Sequence, residues 1–179
     1  IVKSMMDHAR DTTGDYEEVD LNRLIEESVN LAYHGYKAKV SDFNTEISKE
    51  LDESIERISA IPQDLSRVFL NIISNSCYAL HEKANAANNG FEPRISVSSA
   101  NKEDWIEIRF RDNGPGIPDD IRAKVFNPFF TSKPTGDGNT GLGLSISFDI
   151  VTKQHKGEFL FDSRPGEFTE FIVRLPKPS

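Results

Sequence analysis

The sequence predicts an α+β fold, a two-layer sandwich whose mixed, mostly antiparallel sheet is covered on one face by three helices. Two observations point there. Short alternating segments come in pairs joined by tight turns, as in RISVSSA (94–100) with WIEIRFRD (105–112), and EFLFDSR (158–164) with EFTEFIVRLP (167–176). Between such pairs lie longer segments whose apolar residues recur at helical spacing. Repeats and low-complexity tracts are absent from the sequence.

The elements follow in order. Ile1, Val2, Met5, Met6 and Ala9 recur at helical spacing and read as the end of a helix that continues upstream. DTTGDYEE is a polar linker with Gly14 as a stop signal. Asp20 caps a helix from Leu21 to about Tyr33, with Leu21, Leu24, Ile25, Ser28, Leu31 and Ala32 as its buried face. FNTEISKEL (43–51) alternates as a strand, and ERISAI (56–61) is a second, shorter one. Pro62-Gln63-Asp64 opens a long helix, 63–84, which frays into the turn-rich NAANNGFEP. Asn101-Lys102-Glu103-Asp104 turns the first hairpin. After the loop DNGPGIP, a short helix is expected over DDIRAKVF. A glycine-rich region and its helix occupy 136 to about 155, Gly157 ends them, and the last hairpin turns at Pro165-Gly166. The expected division is an upstream helix end and linker, 1–14, followed by one domain, 15–179.

Composition excludes several classes. The formal charge is −8, from 29 acidic and 21 basic residues, which argues against a nucleic-acid surface. No apolar run approaches the ~20 residues of a membrane span, and the first residues carry no secretory pattern. Cys77 stands alone, which suits a reducing compartment. A chain of 179 residues buries a core without disulfides or metal staples.

Candidate chemistry sits in short motifs. Gly136, Gly138 and Gly141 spell the dinucleotide pattern G-x-G-x-x-G, but the strand that pattern needs is replaced by FNPFFTSKPT, interrupted by Pro128 and Pro134. On the long helix, Asn71 and Asn75 lie one above the other, opposite Leu65, Phe69, Ile72, Ile73 and Leu80. Such a pair either faces solvent or offers hard amide oxygens to Mg²⁺. Asp112-Asn113-Gly114-Pro115-Gly116-Ile117 follows a strand; it is either an ordinary turn or an acid placed for an exocyclic amine, with glycines that admit a flat ring. Phe126-Asn127-Pro128-Phe129-Phe130-Thr131-Ser132-Lys133 is an aromatic loop, either a hydrophobic plug with a surface lysine or part of a site. Thr140-Gly141-Leu142-Gly143-Leu144-Ser145 opens a helix whose amides and dipole attract phosphate oxygens.

In this order the motifs resemble the ATPase domain shared by sensor histidine kinases, gyrase, mismatch-repair and heat-shock chaperone ATPases, the GHKL superfamily with its Bergerat fold. NIISNSCYA (71–79) looks like the N box, DNGPGI (112–117) the first glycine box, FNPFFTSK (126–133) the F box and TGLGLS (140–145) the second glycine box. The likeness covers roughly residues 15 to 179 and accounts for the glycines: Gly136 and Gly138 would belong to a short lid, and Gly141 and Gly143 would let amides reach phosphates.

The resemblance implies ATP and Mg²⁺ as cofactors and a set of roles. Asp112 would bind the adenine amine, with Gly114, Gly116, Ile117 and Thr169 around the ring. Asn75 would hold the metal with Asn71 beside it, and Lys133 would put its cation on the outer phosphates. Thr131, Thr140, Gly141, Leu142, Gly143 and Leu144 would complete the phosphate end. Tyr78 stands where many sensor kinases have a basic residue, and Asn139 is also unusual for the second glycine box, with no role assigned. Two features select the kinase branch. Hydrolysing members carry a glutamate as general base where this chain has Asn71, and only 131–140 separate Phe130 from Gly141, a short lid.

The implied reaction is in-line transfer of the γ-phosphoryl group to a histidine. Among His8, His34, His81 and His155, only His81 precedes an acid, and no proline follows it. The acceptor is therefore expected upstream, in a dimerisation and phosphoacceptor domain. A response-regulator receiver domain is the expected partner, the parent protein a homodimer, either free or membrane-anchored, and the location of this segment cytoplasmic, with no nucleic acid and no membrane contact. The competing functions are a gyrase-like ATP hydrolase and a nucleotide-binding module without catalysis.

Overall fold

A computed structural model describes residues 14–87, 90–133 and 141–177. The expected upstream helix end, Gly136, Gly138, Asn139 and Thr140 lie outside the described residues.

Strand β1 (Glu17–Val19) pairs antiparallel with β3 (Ile58–Ala60), matching Glu17 with Ala60. This corrects the expected linker. Val19 is buried, and pairing with a strand distant in sequence makes a strand of a segment too short and polar to announce itself. Helix α1 (Leu21–Lys39) starts at Asp20, whose carboxylate accepts the Arg23 N–H at 3.1 Å. It runs beyond the expected end at Tyr33, because Tyr36 packs edge-on against Phe43 at 5.0 Å and Lys37 and Lys39 complement the last turn. Its buried face is Leu21, Ile25, Ser28, Val29 and Ala32; Leu31, expected inside, is 62% exposed. Helix packing decides this, since Ser28 Oγ meets Ser66 Oγ at 3.1 Å and turns the Val29 side inward.

Strand β2 (Glu46–Glu50) is shorter than expected and lies at the sheet edge, parallel to β4 (Arg94–Asn101). Helix α2 (Pro62–Ala86) has proline in its first turn and buries Leu65, Phe69, Ile72, Ile73 and Leu80 completely. Each such side chain contributes about 1.5–3 kcal/mol by leaving water. Strand β5 (Trp105–Asp112) forms the hairpin with β4, from Ile95 opposite Asp112 to Asn101 opposite Ile106. The segment expected as a helix over DDIRAKVF is a 3₁₀ turn, Asp119–Lys124, with no buried residue within it, and the next residue, Val125, is buried in the core. Helix α3 (Gly143–Asp149) continues as a π turn, Ile150–Gln154. Strands β6 (Glu158–Arg164) and β7 (Phe168–Pro176) close the chain as a hairpin.

The five-stranded sheet runs β2-β4-β5-β7-β6, mixed and mostly antiparallel, as expected. Its inner face, with Ile106, Ile108 and Phe110 of β5 and Phe171, Val173 and Leu175 of β7, meets the helices; Phe69 of α2 and Phe110 stand 5.4 Å apart. The outer face carries an ion-pair ladder in which Glu107 accepts from Arg109 at 2.8 Å and from Arg174 at 2.9 Å. The layering brings α2, the end of β5 and the mouth of α3 together.

Candidate functional site

Helix α2 is the backbone of the site. Helical spacing places Asn71, Asn75, Ser76 and Lys83 along about 18 Å of its length. At the near end, Asn71 Nδ2 donates to the Gly143 carbonyl at 3.2 Å and to Ser147 Oγ at 3.1 Å, tying α2 to the first turn of α3. One turn on, Asn75 Oδ1 accepts from the Lys133 ammonium at 2.7 Å, and that ammonium lies 4.7 Å from the Tyr78 ring centroid. Burial pushes the Lys133 amine below its ordinary value. Thr131 Oγ1 accepts the Lys133 N–H at 3.1 Å and shapes the turn that delivers the side chain.

At the far end, Asp112 is 3% exposed at the end of β5. Ser76 donates to its Oδ2 at 2.8 Å and the Gly114 N–H to its Oδ1 at 2.9 Å. Burial raises the carboxyl from 3.8 to about 6, and those two bonds with the nearby charges of Lys83 and Arg111 work against the rise. Thr169 of β7 is paired directly across from Asp112, and its hydroxyl meets Ser163 Oγ at 3.3 Å. Ser163 Oγ also accepts the Ile117 N–H at 2.7 Å, so the whole first glycine box is laced to β6 and β7.

The glycines answer to specific neighbours. Gly116 has φ +70° and lies so near the Arg164 carbonyl that a Cβ would collide with it. Gly141 has φ +69°, and a Cβ there would stand 2.5 Å from the Phe129 carbonyl carbon. Their lack of a side chain serves loop packing first. Leu142 precedes α3 and accepts the Ile146 N–H at 2.9 Å, while Leu144 packs half-buried on the core. Phe126 is the plug of the aromatic loop, with ring centroids of Phe148, Phe159 and Phe161 at 5.1, 5.1 and 5.6 Å.

Sequence reasoning missed Ser76, Lys83, Ser147 and His155. Lys83 donates to the carbonyls of Asn113 at 2.9 Å, Gly114 at 3.0 Å and Gly166 at 3.0 Å. Its position seven residues after Ser76, on the same helical face, was the available signal. His155 accepts the Ile61 N–H at Nε2, 3.1 Å, and has Nδ1 2.9 Å from the Ile150 carbonyl, which requires the neutral tautomer protonated at Nδ1. A distant backbone amide left no sequence signal for that.

The donor set is of the hard, neutral kind that would suit a magnesium ion. It offers one neutral amide oxygen, Asn75 Oδ1, which already faces a cation, and the described residues hold no cluster of three or more His, Cys, Asp or Glu side chains.

Fold and site together define a nucleotide-binding ATPase domain of the Bergerat type, with an acid at a central strand end and an asparagine-bearing helix beside it. The chain belongs to the histidine kinase-, DNA gyrase B- and HSP90-like ATPase family, whose model matches residues 60–179. It is 32% identical to the signal transduction histidine-protein kinase AtoS of Escherichia coli over 98% of this chain and 26% of AtoS. It is 33% identical to the sensory histidine kinase/phosphatase NtrB of Klebsiella oxytoca over 74% of this chain and 37% of NtrB. The chain thus spans between a quarter and two fifths of those relatives. Among solved structures, the catalytic domain of histidine kinase ThkA superposes with a TM-score of 0.72 at 29% identity, covering 92% of this chain and 97% of that one. No described helix is long and apolar enough to cross a membrane.

Proposed function

We propose that this chain is the cytoplasmic, ATP-binding catalytic domain of a two-component sensor kinase, comprising residues 15–179, with 1–14 as the end of a dimerisation and phosphoacceptor segment and its linker. The imidazole nitrogen of a histidine upstream in that segment attacks the γ-phosphorus in line. A phosphorus–nitrogen bond forms, the bond to the β–γ bridging oxygen breaks, ADP leaves, and the histidine gives up its N–H proton. The phosphoryl group then passes to a receiver domain of a response regulator.

The residues divide the work. Asp112 accepts from the adenine amine, with Gly114, Gly116, Ile117 and Thr169 lining the ring. Asn75 holds Mg²⁺, whose charge offsets that of the phosphate oxygens. Thr131, Gly141, Leu142, Gly143 and Leu144 surround the phosphates through backbone amides and a turn hydroxyl, with Tyr78 beside them. Lys133 transfers its ammonium from Asn75 to the outer phosphates and supplies charge that the acidic surface lacks.

The observation that carries the proposal is Asn71. Its amide donates to Gly143 and Ser147 at the α3 mouth, at the position where hydrolysing relatives place a glutamate base, and an amide cannot activate water. The test is incubation with radiolabelled ATP and a supplied dimerisation domain from a kinase of this family. Acid-labile, base-stable label on that domain, with no label on this chain and no steady phosphate release, is the expected result. Steady hydrolysis without transfer would make it a gyrase-like hydrolase; nucleotide binding with neither reaction would make it a binding module.

A further inference from the structure

We infer that Lys83 is a positioning residue that selects adenine over other bases, by holding the loop behind Asp112 in one shape. The inference rests on the proposed function and extends it to a residue outside the family's boxes.

Lysine ammonium groups are ordinarily solvated. That of Lys83 instead places its three donors on three backbone carbonyls, Asn113 and Gly114 of the loop after β5 and Gly166 of the β6–β7 turn. The Phe91 ring covers it at 4.7 Å. A carbonyl oxygen aligned on a full charge makes a stronger bond than one aligned on a neutral donor. The Gly166 N–H donates back to the Pro115 carbonyl at 2.6 Å, so loop and turn are joined from both sides.

The consequence reaches the carboxylate. Gly114 gives its carbonyl to Lys83 and its N–H to Asp112 Oδ1, so the clamp on one side of that residue fixes the donor on the other. Ser76, two helical turns earlier on α2, fixes Oδ2. One helix thus aims both oxygens of the base-reading acid, through Ser76 directly and through Lys83 by way of the loop. Asn75, at the phosphate end, lies eight residues before Lys83, about 12 Å along the axis. Losing the clamp therefore disturbs the base end and leaves the triphosphate end in place.

The test measures Mg-ATP and Mg-GTP affinity and melting temperature for the 179-residue chain and its K83M, K83Q and K83R variants. In wild type ATP binds more tightly than GTP. In K83M, ATP binding weakens about tenfold, the order of one charge-assisted hydrogen bond, while GTP binding is unchanged, so the preference collapses. K83R, with donors for several carbonyls, stays within about threefold of wild type. If K83M does not fold, K83Q, which keeps one or two donors, must show a smaller loss confined to ATP. An ATP-to-GTP ratio that stays at the wild-type value, whatever the melting temperature does, overturns the inference and leaves the proposed function standing. A wild-type chain that binds neither nucleotide overturns both.

Discussion

The Lys133 ammonium and the Asn75 amide oxygen, 2.7 Å apart, bring the aromatic loop and the long helix into one site. Lysine reaches asparagine across residues far apart in the chain, and its ammonium also lies over the Tyr78 ring. In the proposed function this contact is a resting position from which the ammonium moves to the outer phosphates. K133A is then expected to slow phosphoryl transfer about a hundredfold, as for removal of one transition-state donor. ADP lacks the γ-phosphate, so its affinity is expected to change less than about threefold. Single-turnover transfer and ADP titration on the same preparation check this; equal losses in both would remove Lys133 from the transfer step.

Asp112 carries a pH dependence whose sign is opposite to that of an ion-paired acid. Its carboxyl, raised by burial from 3.8 to about 6, keeps its proton in the folded chain where the unfolded chain has lost it. Its contribution to stability is intact below about pH 4 and falls as pH rises toward 6, by about 3 kcal/mol in full. D112N has no charge to bury, and its amide can donate to Ser76 Oγ while its oxygen accepts from Gly114. At pH 7.5 it is expected to be about 2 kcal/mol more stable than wild type and to bind ATP about a hundredfold more weakly. Wild-type ATP affinity should fall about tenfold per pH unit below 6 as the acceptor is protonated. Urea melts and calorimetric titrations between pH 5 and 8 test both signs.

Phe126 couples the aromatic loop to α3 through Phe148 and to β6 through Phe159 and Phe161. It is half-buried, so F126A is expected to cost about 2 kcal/mol, below the range for a fully buried phenylalanine. F126L keeps most of the apolar volume and should cost less than about 1 kcal/mol. A urea midpoint unchanged in F126A would show the ring contacts to be without weight.

Local patterns were legible where local physics decides. The buried row of α2, the β4–β5 hairpin and the Pro165-Gly166 turn follow from periodicity and turn chemistry, and the structure has them as expected. What escaped depends on partners far along the chain. Strand β1 exists because Ile58–Ala60 comes to it. Leu31 lost its place to Val29 when α1 rotated onto α2. The π turn at Ile150–Gln154 follows His155, which reaches back to Ile61. In the site, the residue types were visible as motifs, but the side chains that hold them, Ser76 on Asp112 and Ser147 on Asn71, look like ordinary helix serines until the elements are packed.

Asn71 offers a test in which the amide and the acid act in opposite directions. Its Nδ2 donates to the Gly143 carbonyl and to Ser147 Oγ, and Ser147 Oγ also donates to that carbonyl at 2.8 Å. N71A removes both donations, but the carbonyl keeps the serine bond, so the loss is expected near 1 kcal/mol. N71D keeps the shape and sets a carboxylate oxygen against the Gly143 carbonyl oxygen, with no proton between them. It should therefore destabilise more than alanine does, by a further 1 kcal/mol or so, and weaken ATP binding further because the added charge faces the phosphates. Below about pH 4, where an aspartate regains its proton, the gap in stability between N71D and N71A should close. Chemical denaturation of the two variants at pH 7.5 and pH 4 measures that gap directly; an N71D that equals or exceeds N71A in stability at pH 7.5 would mean that the amide does not donate to α3.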